Sequence, residues 1–416
     1  MKLNPKKGEI VKAILFIIDG LGDRPNSNGN TPLKEAHTPI LDKMAKEGIC
    51  GIMNAIDIGV RPGSDTAHLA LLGYDPYKTY TGRGPFEARG VGIEVKPGDI
   101  AFRCNFATLD ENLKVVDRRA GRIKNTEELE RAIDGIEIEG VKVIFKQSGG
   151  YRAALVLRGE GLSDRVSEGD PHKEGVEIPE IKPLEDSQEA KKTANVLNKL
   201  IKIVYDRLNN HPVNNVRREK GLPPANVILI RGAGKVPVIE PFYERYKLKG
   251  ACIAGTGLIK GISKMVGLDF INVEGATGTP STNYMGKAKA IVENIKKYDF
   301  IMVNVKGADE ASHDGDYNTK VRVIEEVDKM MEYILNNINK EEIYIVVTGD
   351  HSSPIEVKDH SADPIPIMIW GKGVRHDEVD KFDEFSTYKG GLCWIKGKYV
   401  MPILLDLLNK SEKYGA

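Results

Sequence analysis

The segment Ala13-Ile14-Leu15-Phe16-Ile17-Ile18-Asp19-Gly20 runs six apolar residues straight into an acidic residue and a glycine. The same grammar returns twice. Phe300–Val305 leads into Lys306-Gly307-Ala308-Asp309, and Ile343–Val347 leads into Thr348-Gly349-Asp350-His351. Apolar runs of this length without alternation are those of strands buried on both faces, as in a parallel sheet. Helical patterns lie between them. Thr38-Pro39 supplies an N-cap and a first-turn proline, and Gly48 ends that helix. Lys320–Leu335 places Val321, Ile324, Val327, Met331 and Ile334 on one stripe. Strand, polar loop and helix in repetition predict an α/β core with a mostly parallel central sheet flanked by helices. Ligands of such sheets gather beyond the carboxyl ends of the strands, and the polar clusters fall there.

The middle of the chain reads differently. Short β runs (Lys142–Phe145, Ala153–Leu157) mix with helical stretches (Thr126–Ile133, Ser187–Leu208). This pattern predicts a smaller α+β domain, residues 111–221, inserted into a core of 1–110 and 222–416. His211-Pro212 and Pro223-Pro224 punctuate its end, and Asn226–Ile230 is expected to resume the core sheet. There is no internal repeat and no low-complexity tract.

With 416 residues the chain is long enough for one large domain or two. Lys+Arg and Asp+Glu both number 60, so no global field favours nucleic acid or an anionic membrane, and any anion site must be a local cluster. Met1 to Val11 is charged and has no apolar core of a signal peptide, and Ala13–Ile18 is too short to span a bilayer. The four cysteines, Cys50, Cys104, Cys252 and Cys393, form no C-x-x-C pair. A reducing cytoplasm suits them best.

The chemistry-bearing residues cluster after the strands. Asp309 and His313 stand at i and i+4, on one face of a helical turn. Asp350-His351 follows a strand directly, His360 precedes the apolar run Ile365–Trp370, and Asp19 closes the first strand. Each alone reads equally well as a turn, a cap or a surface residue. Six such Asp and His residues around the ends of one sheet point instead to metal binding. Oxygen and imidazole donors without thiolate suit Mn, Mg, Zn or Co. Two such ions can clamp the attacking and leaving oxygens of a displacement at phosphorus. Ser64 in Gly63-Ser64-Asp65-Thr66-Ala67-His68 opens a helical run. It reads either as the N-cap of that helix or as a nucleophile beside an anion-binding helix terminus.

These stretches resemble the alkaline-phosphatase superfamily, and within it the archaeal type of 2,3-bisphosphoglycerate-independent phosphoglycerate mutase. The resemblance rests on Ile17–Asp23, Thr31-Pro32-Leu33, Thr38–Asp42 and Gly63–His68. Tyr80–Gly84, Asp117–Arg122, Ile230–Gly234, Glu274–Gly278 and Thr348–Ser352 support it. It implies two divalent ions, with manganese first among the metals above, and no requirement for 2,3-bisphosphoglycerate. Asp309, His313 and His360 would hold one ion, and Asp19, Ser64, Asp350 and His351 the other. It implies that Ser64 takes the phosphoryl group of 3-phosphoglycerate and returns it to the other hydroxyl. The inserted domain would supply arginines for the carboxylate and an acid/base carboxylate, with Arg118, Arg119, Arg122 and Arg231 as candidates and Asp170 and His172 as polar partners. Asn304 departs from the pattern, standing where the family often carries histidine, and is expected not to be a ligand. The implied partner is a small phosphoglycerate, without nucleic acid or membrane, and a homo-oligomer is compatible with this. Competing readings are a metal-dependent phosphomonoesterase, a pentose-phosphate mutase, a homoserine-kinase-like enzyme and a non-catalytic metal-binding protein.

Overall fold

A computed structural model describes residues 12–415, so the reading of Met1 to Val11 lies outside the described part. The chain forms two compact units. One comprises the chain up to Thr79 and from Ile239 onward, and the other is Tyr80–Val238.

The first unit is built on an eight-stranded sheet. Its order is Asp269–Phe270, Gly250–Ile253, Phe300–Val305, Lys12–Ile18, Ile343–Thr348, Ile365–Gly371, Ile49–Asn54 and Cys393–Lys396. All strands run parallel except Ile365–Gly371, which is antiparallel to both neighbours. The three apolar runs of the sequence are adjacent at its centre, and Ala13 to Ile18 and Phe300 to Val305 are buried throughout. The helix Tyr317–Asn337 covers one face with Val323, Ile324, Val327, Met330, Met331 and Ile334. Its polar cap Asp316 accepts from the Thr319 backbone N–H.

The single antiparallel strand matters for the site. Its amino end lies at the same edge as the carboxyl ends of its parallel neighbours. The segment from Asp350 to Ile365 therefore leaves and re-enters the sheet at one edge. It is pinned part-way, where the Ser361 backbone N–H donates to Ser352 O at 2.8 Å.

The second unit holds a seven-stranded sheet whose pairings are all antiparallel. The strand Ile100–Leu109 alternates, as a strand covered differently on its two faces should. Ile100, Phe102, Cys104 and Phe106 pack into a core with Leu197, Leu200 and Val204 of the helix Gln188–Asn209. Ala101 points the other way and packs with Ala88 of the helix Gly84–Gly90.

The expected boundaries at 110 and 222 move outward to Tyr80 and Val238. Val227–Lys235 pairs with Ile100–Leu109, so Asn226–Ile230 does not resume the core sheet. A buried strand in one sheet has the same apolar signature as in the other, and only its hydrogen-bonding partner tells them apart. Among the described residues, no helix is long and apolar enough to cross a membrane.

Candidate metal centre

Asp19, Asp309, Asp350 and His351 are fully buried where the central parallel strands end. Gly20 makes the crowding feasible. Its φ is +72°, and a Cβ there would stand 2.8 Å from the Asp309 Cα. Neither the dihedral nor the gap admits a side chain.

Two groups of donors converge, sharing His351. The donor atoms of Asp19, Asp350 and His351 lie within 4.8 Å of one another, as do those of Asp309, His351 and His360. His351 Nε2 is 3.3 Å from Asp350 Oδ2, 3.6 Å from Asp19 Oδ1 and 3.3 Å from Ser64 Oγ. Asp309 stands 3.5 Å from His313 Nε2 and 3.5 Å from His360 Nε2. Asp359 also comes within range of His313 and His360. The rings of His351 and His360 stack with centroids 3.5 Å apart.

The hydrogen bonds fix which ring nitrogen is free. His360 Nδ1 faces Pro62 O at 2.8 Å, and His313 Nδ1 faces Lys358 O at 2.8 Å. A carbonyl oxygen only accepts, so both Nδ1 atoms carry the proton, and in the neutral rings Nε2 keeps a lone pair. This is the usual arrangement of metal-bound imidazole. Asp350 Oδ1 accepts from the Gly20 and His351 backbone N–H groups at 3.1 and 3.0 Å. Its other oxygen, Oδ2, is buried and accepts no hydrogen bond. Burial and the nearby Asp19 carboxylate push Asp350 up to about 7. A cation is what such a carboxylate needs to stay ionised, so the donor set fits a divalent ion.

Ser64 is not the helix cap. Gly63 occupies that position and Ser64 is the first helical residue. The capping work falls to Thr66, whose Oγ1 accepts from Gly63 N at 3.1 Å and donates to Gly63 O at 3.1 Å. The Ser64 hydroxyl is thereby left to face His351.

Three polar residues were overlooked or undervalued in the sequence. The Lys306 ammonium lies 3.1 Å from Asp19 and also pairs with Asp309. Burial opposes its charge, but the Asp19 and Asp309 carboxylates outweigh that and hold it firmly protonated. His68 donates from Nδ1 to Ser64 O at 2.7 Å, and its Nε2 accepts from Asn304 at 3.1 Å. Both ring nitrogens are spent, which makes His68 a brace. Asn304 donates as well to Asp19 Oδ2 at 2.9 Å, a supporting role.

The second unit gathers charge of another kind. Asp170 is buried and takes Arg118 in a fork, at 3.1 Å to Oδ1 and 2.8 Å to Oδ2, with Arg231 at 3.2 Å. Burial works against its ionisation, but Arg118, the His172 N–H and Arg231 hold it below the usual carboxylate range. His172 lies against Glu168 at 2.7 Å and is largely exposed. Arg83 and Arg103, which the sequence reading passed over, share Glu87 at 2.9 and 3.8 Å. Arg103 Nε is buried without a hydrogen bond, and burial with the neighbouring arginines pulls its guanidinium down to about 9.

Close packing of glycines assembles this cluster. A Cβ on Gly84 would meet Ala101 O at 2.0 Å, so the helix carrying Glu87 sits hard against the strand carrying Arg103. Ala120 and Arg122 both take left-handed backbone, at φ 48° and 52°, and Asp117 clamps the turn through the Arg119 and Gly121 N–H groups. Arg119 and Arg122 themselves remain exposed, outside the group around Asp170. Arg122 instead lines a groove of about 630 Å³ with Lys124, Val216 and Leu222.

Comparison with known proteins agrees with this geometry. The metalloenzyme superfamily model matches residues 11–407. A 2,3-bisphosphoglycerate-independent phosphoglycerate mutase of Methanococcus aeolicus is 73% identical over 98% of this chain and all of its own length. The chain belongs to the 2,3-bisphosphoglycerate-independent phosphoglycerate mutases. A member from Methanocaldococcus jannaschii is 70% identical over 99% of this chain and 100% of its own. Among solved structures, the cofactor-independent phosphoglycerate mutase of Thermoplasma acidophilum is 40% identical, with a TM-score of 0.70 over 96% of this chain and 100% of that one. A Pyrococcus horikoshii protein is 41% identical, with a TM-score of 0.86 over 98% of this chain and 99% of that one. Membership of this family makes the chain a metalloenzyme-type isomerase.

Proposed function

We propose that the chain interconverts 3-phosphoglycerate and 2-phosphoglycerate through a phosphoserine at Ser64, without 2,3-bisphosphoglycerate. The observation that carries this is the Ser64 hydroxyl, relieved of capping and lying 3.3 Å from His351 within the buried donor cluster. Asp309, His313 and His360 are assigned to one divalent ion, and Asp19, Ser64, Asp350 and His351 to a second. The oxygen and imidazole donors suit Mn, Mg, Co or Zn, and the family resemblance puts manganese first among them. Bound there, the ions would lower the pKa of the serine hydroxyl and neutralise charge on the transferring phosphoryl group.

The chain's own groups do the rest. Ser64 forms the bond to phosphorus as the bond from phosphorus to the glycerate oxygen breaks, and that departing oxygen receives the proton that Ser64 gives up, becoming a hydroxyl. After the glycerate turns, its other hydroxyl attacks the phosphoserine and Ser64 is restored. Lys306 supplies a fixed positive charge beside Asp19 and Asp309. The arginines around Asp170 and Glu87 are suited to the substrate carboxylate, since planar guanidinium groups bind such anions through two parallel bonds. Four arginines share two carboxylates there, so the cluster retains positive charge for an anion. Asp170 organises these arginines in this reading and does not exchange protons, because they hold its proton off. The free cysteines, three of them buried, fit a cytoplasmic location.

The test is Ser64→Ala with isotope-labelled 3-phosphoglycerate. Wild-type protein should carry label on Ser64, and the variant should carry none and fall to background turnover. Stability should barely change, since the cap is Gly63. A variant that still interconverts the two phosphoglycerates at near wild-type rate would end this reading.

A further inference from the structure

Ser353 lies two residues beyond His351, fully buried, and its hydroxyl touches both donor groups. It is 2.8 Å from Asp309 Oδ1 and 3.0 Å from His351 Nδ1. The proton count settles the direction of both bonds. A serine hydroxyl has one proton, and an ionised carboxylate can only accept. Asp309 is paired with the Lys306 ammonium and faces His313 Nε2 at 3.5 Å, cationic and polar neighbours that suit the carboxylate form. Ser353 therefore donates to Asp309 and must accept from His351, so Nδ1 of His351 carries a proton and Nε2 of the neutral ring does not. The two other histidines of the cluster are oriented by backbone carbonyls, which no substitution removes. His351 alone is oriented by a side chain, and that side chain also holds the aspartate of the other group.

The backbone of Ser353 is anchored just as firmly. Its N–H donates to Gly22 O at 3.0 Å. Its carbonyl accepts from the Lys320 ammonium at 2.9 Å, which also reaches Gly22 O at 3.2 Å and Asp23 Oδ2 at 2.9 Å. Lys320 is fully buried, so three oxygens replace its water. A buried ammonium is costly unless satisfied in this way, and what it joins are the loop after Asp19 and the loop after His351.

We infer that Ser353 is a positioning residue that couples the two metal sites, by fixing the tautomer of His351 through the same hydroxyl that orients Asp309. This rests on the reading of Asp309 and His351 as ligands of neighbouring ions. The chain His351 N–H to Ser353 O–H to Asp309 carboxylate is polarised in one direction and makes Nε2 a stronger donor. Ordering Asp309 around one ion thus prepares His351 for the other.

The experiment has two readouts on full-length, metal-stripped protein. The first is Mn²⁺ binding measured against a competing chelator. The second is the ring ¹⁵N spectrum of the histidines without metal, with His351 assigned from a His351→Gln sample. Wild type should show His351 in a single tautomer protonated at Nδ1. Ser353→Ala should lose that preference and weaken the second binding step by about 10- to 100-fold, as removal of an outer partner does. Ser353→Thr keeps the hydroxyl and should retain the tautomer. An alanine variant that only melts earlier, with both binding steps and the tautomer unchanged, overturns the inference. Wild type that binds no Mn²⁺ overturns the ligand reading instead, while the tautomer still reports on Ser353 alone.

Discussion

The two units gather polar side chains of different kinds on different supports. In the first, donors are short side chains just beyond the ends of parallel strands, with Asp19, Asp309, Asp350 and His351 fully buried, and backbone groups and the Ser353 hydroxyl hold them. In the second, long guanidinium side chains rise from an antiparallel sheet and are held by other side chains, Glu87 and Asp170. An ion needs donors placed to a few tenths of an ångström before it arrives, because ligand geometry sets its affinity. A carboxylate or phosphate tolerates more adjustment, and partly exposed arginines can supply it.

This contrast can be broken most severely at the ligands. Asp309→Ala and His360→Ala should each lose metal and lower activity by more than the roughly 100-fold that loss of an outer partner costs. Elemental analysis of the purified variants checks this, and full metal content in both would remove the assignment. A smaller effect is expected at the arginines. Arg231→Ala should raise KM for 3-phosphoglycerate by about 10- to 100-fold, the cost of one charged hydrogen-bonding partner, while metal content stays at the wild-type level. Steady-state kinetics beside elemental analysis separate the two. The smallest effect sharpens the comparison. Arg119→Ala and Arg122→Ala should each change stability by less than about 0.5 kcal/mol and leave KM near wild type. A large KM effect there would place the anion site around the left-handed turn rather than around Asp170.

Much of the donor cluster was legible because the polar residues lie directly after the strands. Asp19, Asp309, Asp350 and His351 each follow an apolar run, and short polar residues there can only be turns or ligands. Ser64 was ambiguous until Thr66 was seen to carry the cap. Lys306 stood in a quoted cluster yet passed unnoticed, because a lysine after a strand ordinarily reads as solvated. Lys320 hid in the same way, at the head of an amphipathic helix whose apolar stripe drew the eye. Arg103 sits mid-strand between apolar neighbours, and nothing local marks its partner Glu87. The unit boundary failed for a physical reason too, since strand pairing is non-local and Val227 to Ile230 would be equally buried in either sheet. Among the four arginines named from the sequence, pattern alone could not separate Arg118 from Arg119, adjacent residues that the turn sends in different directions.

The lone antiparallel strand Ile365–Gly371 has a consequence for how this centre can vary. Because the chain departs after His351 and returns before Ile365 at the same edge, His360 rides on an excursion with both ends fastened. Adding or deleting a residue between Pro354 and Asp359 would shift the His360 imidazole, and with Lys358 O the bond that orients His313, while every strand register stays in place. Along a parallel crossover the same change would have to be absorbed by a whole helix. The placement of this candidate donor is thus adjustable by loop length alone, a degree of freedom that Asp19, Asp350 and His351, locked to strand ends, do not possess.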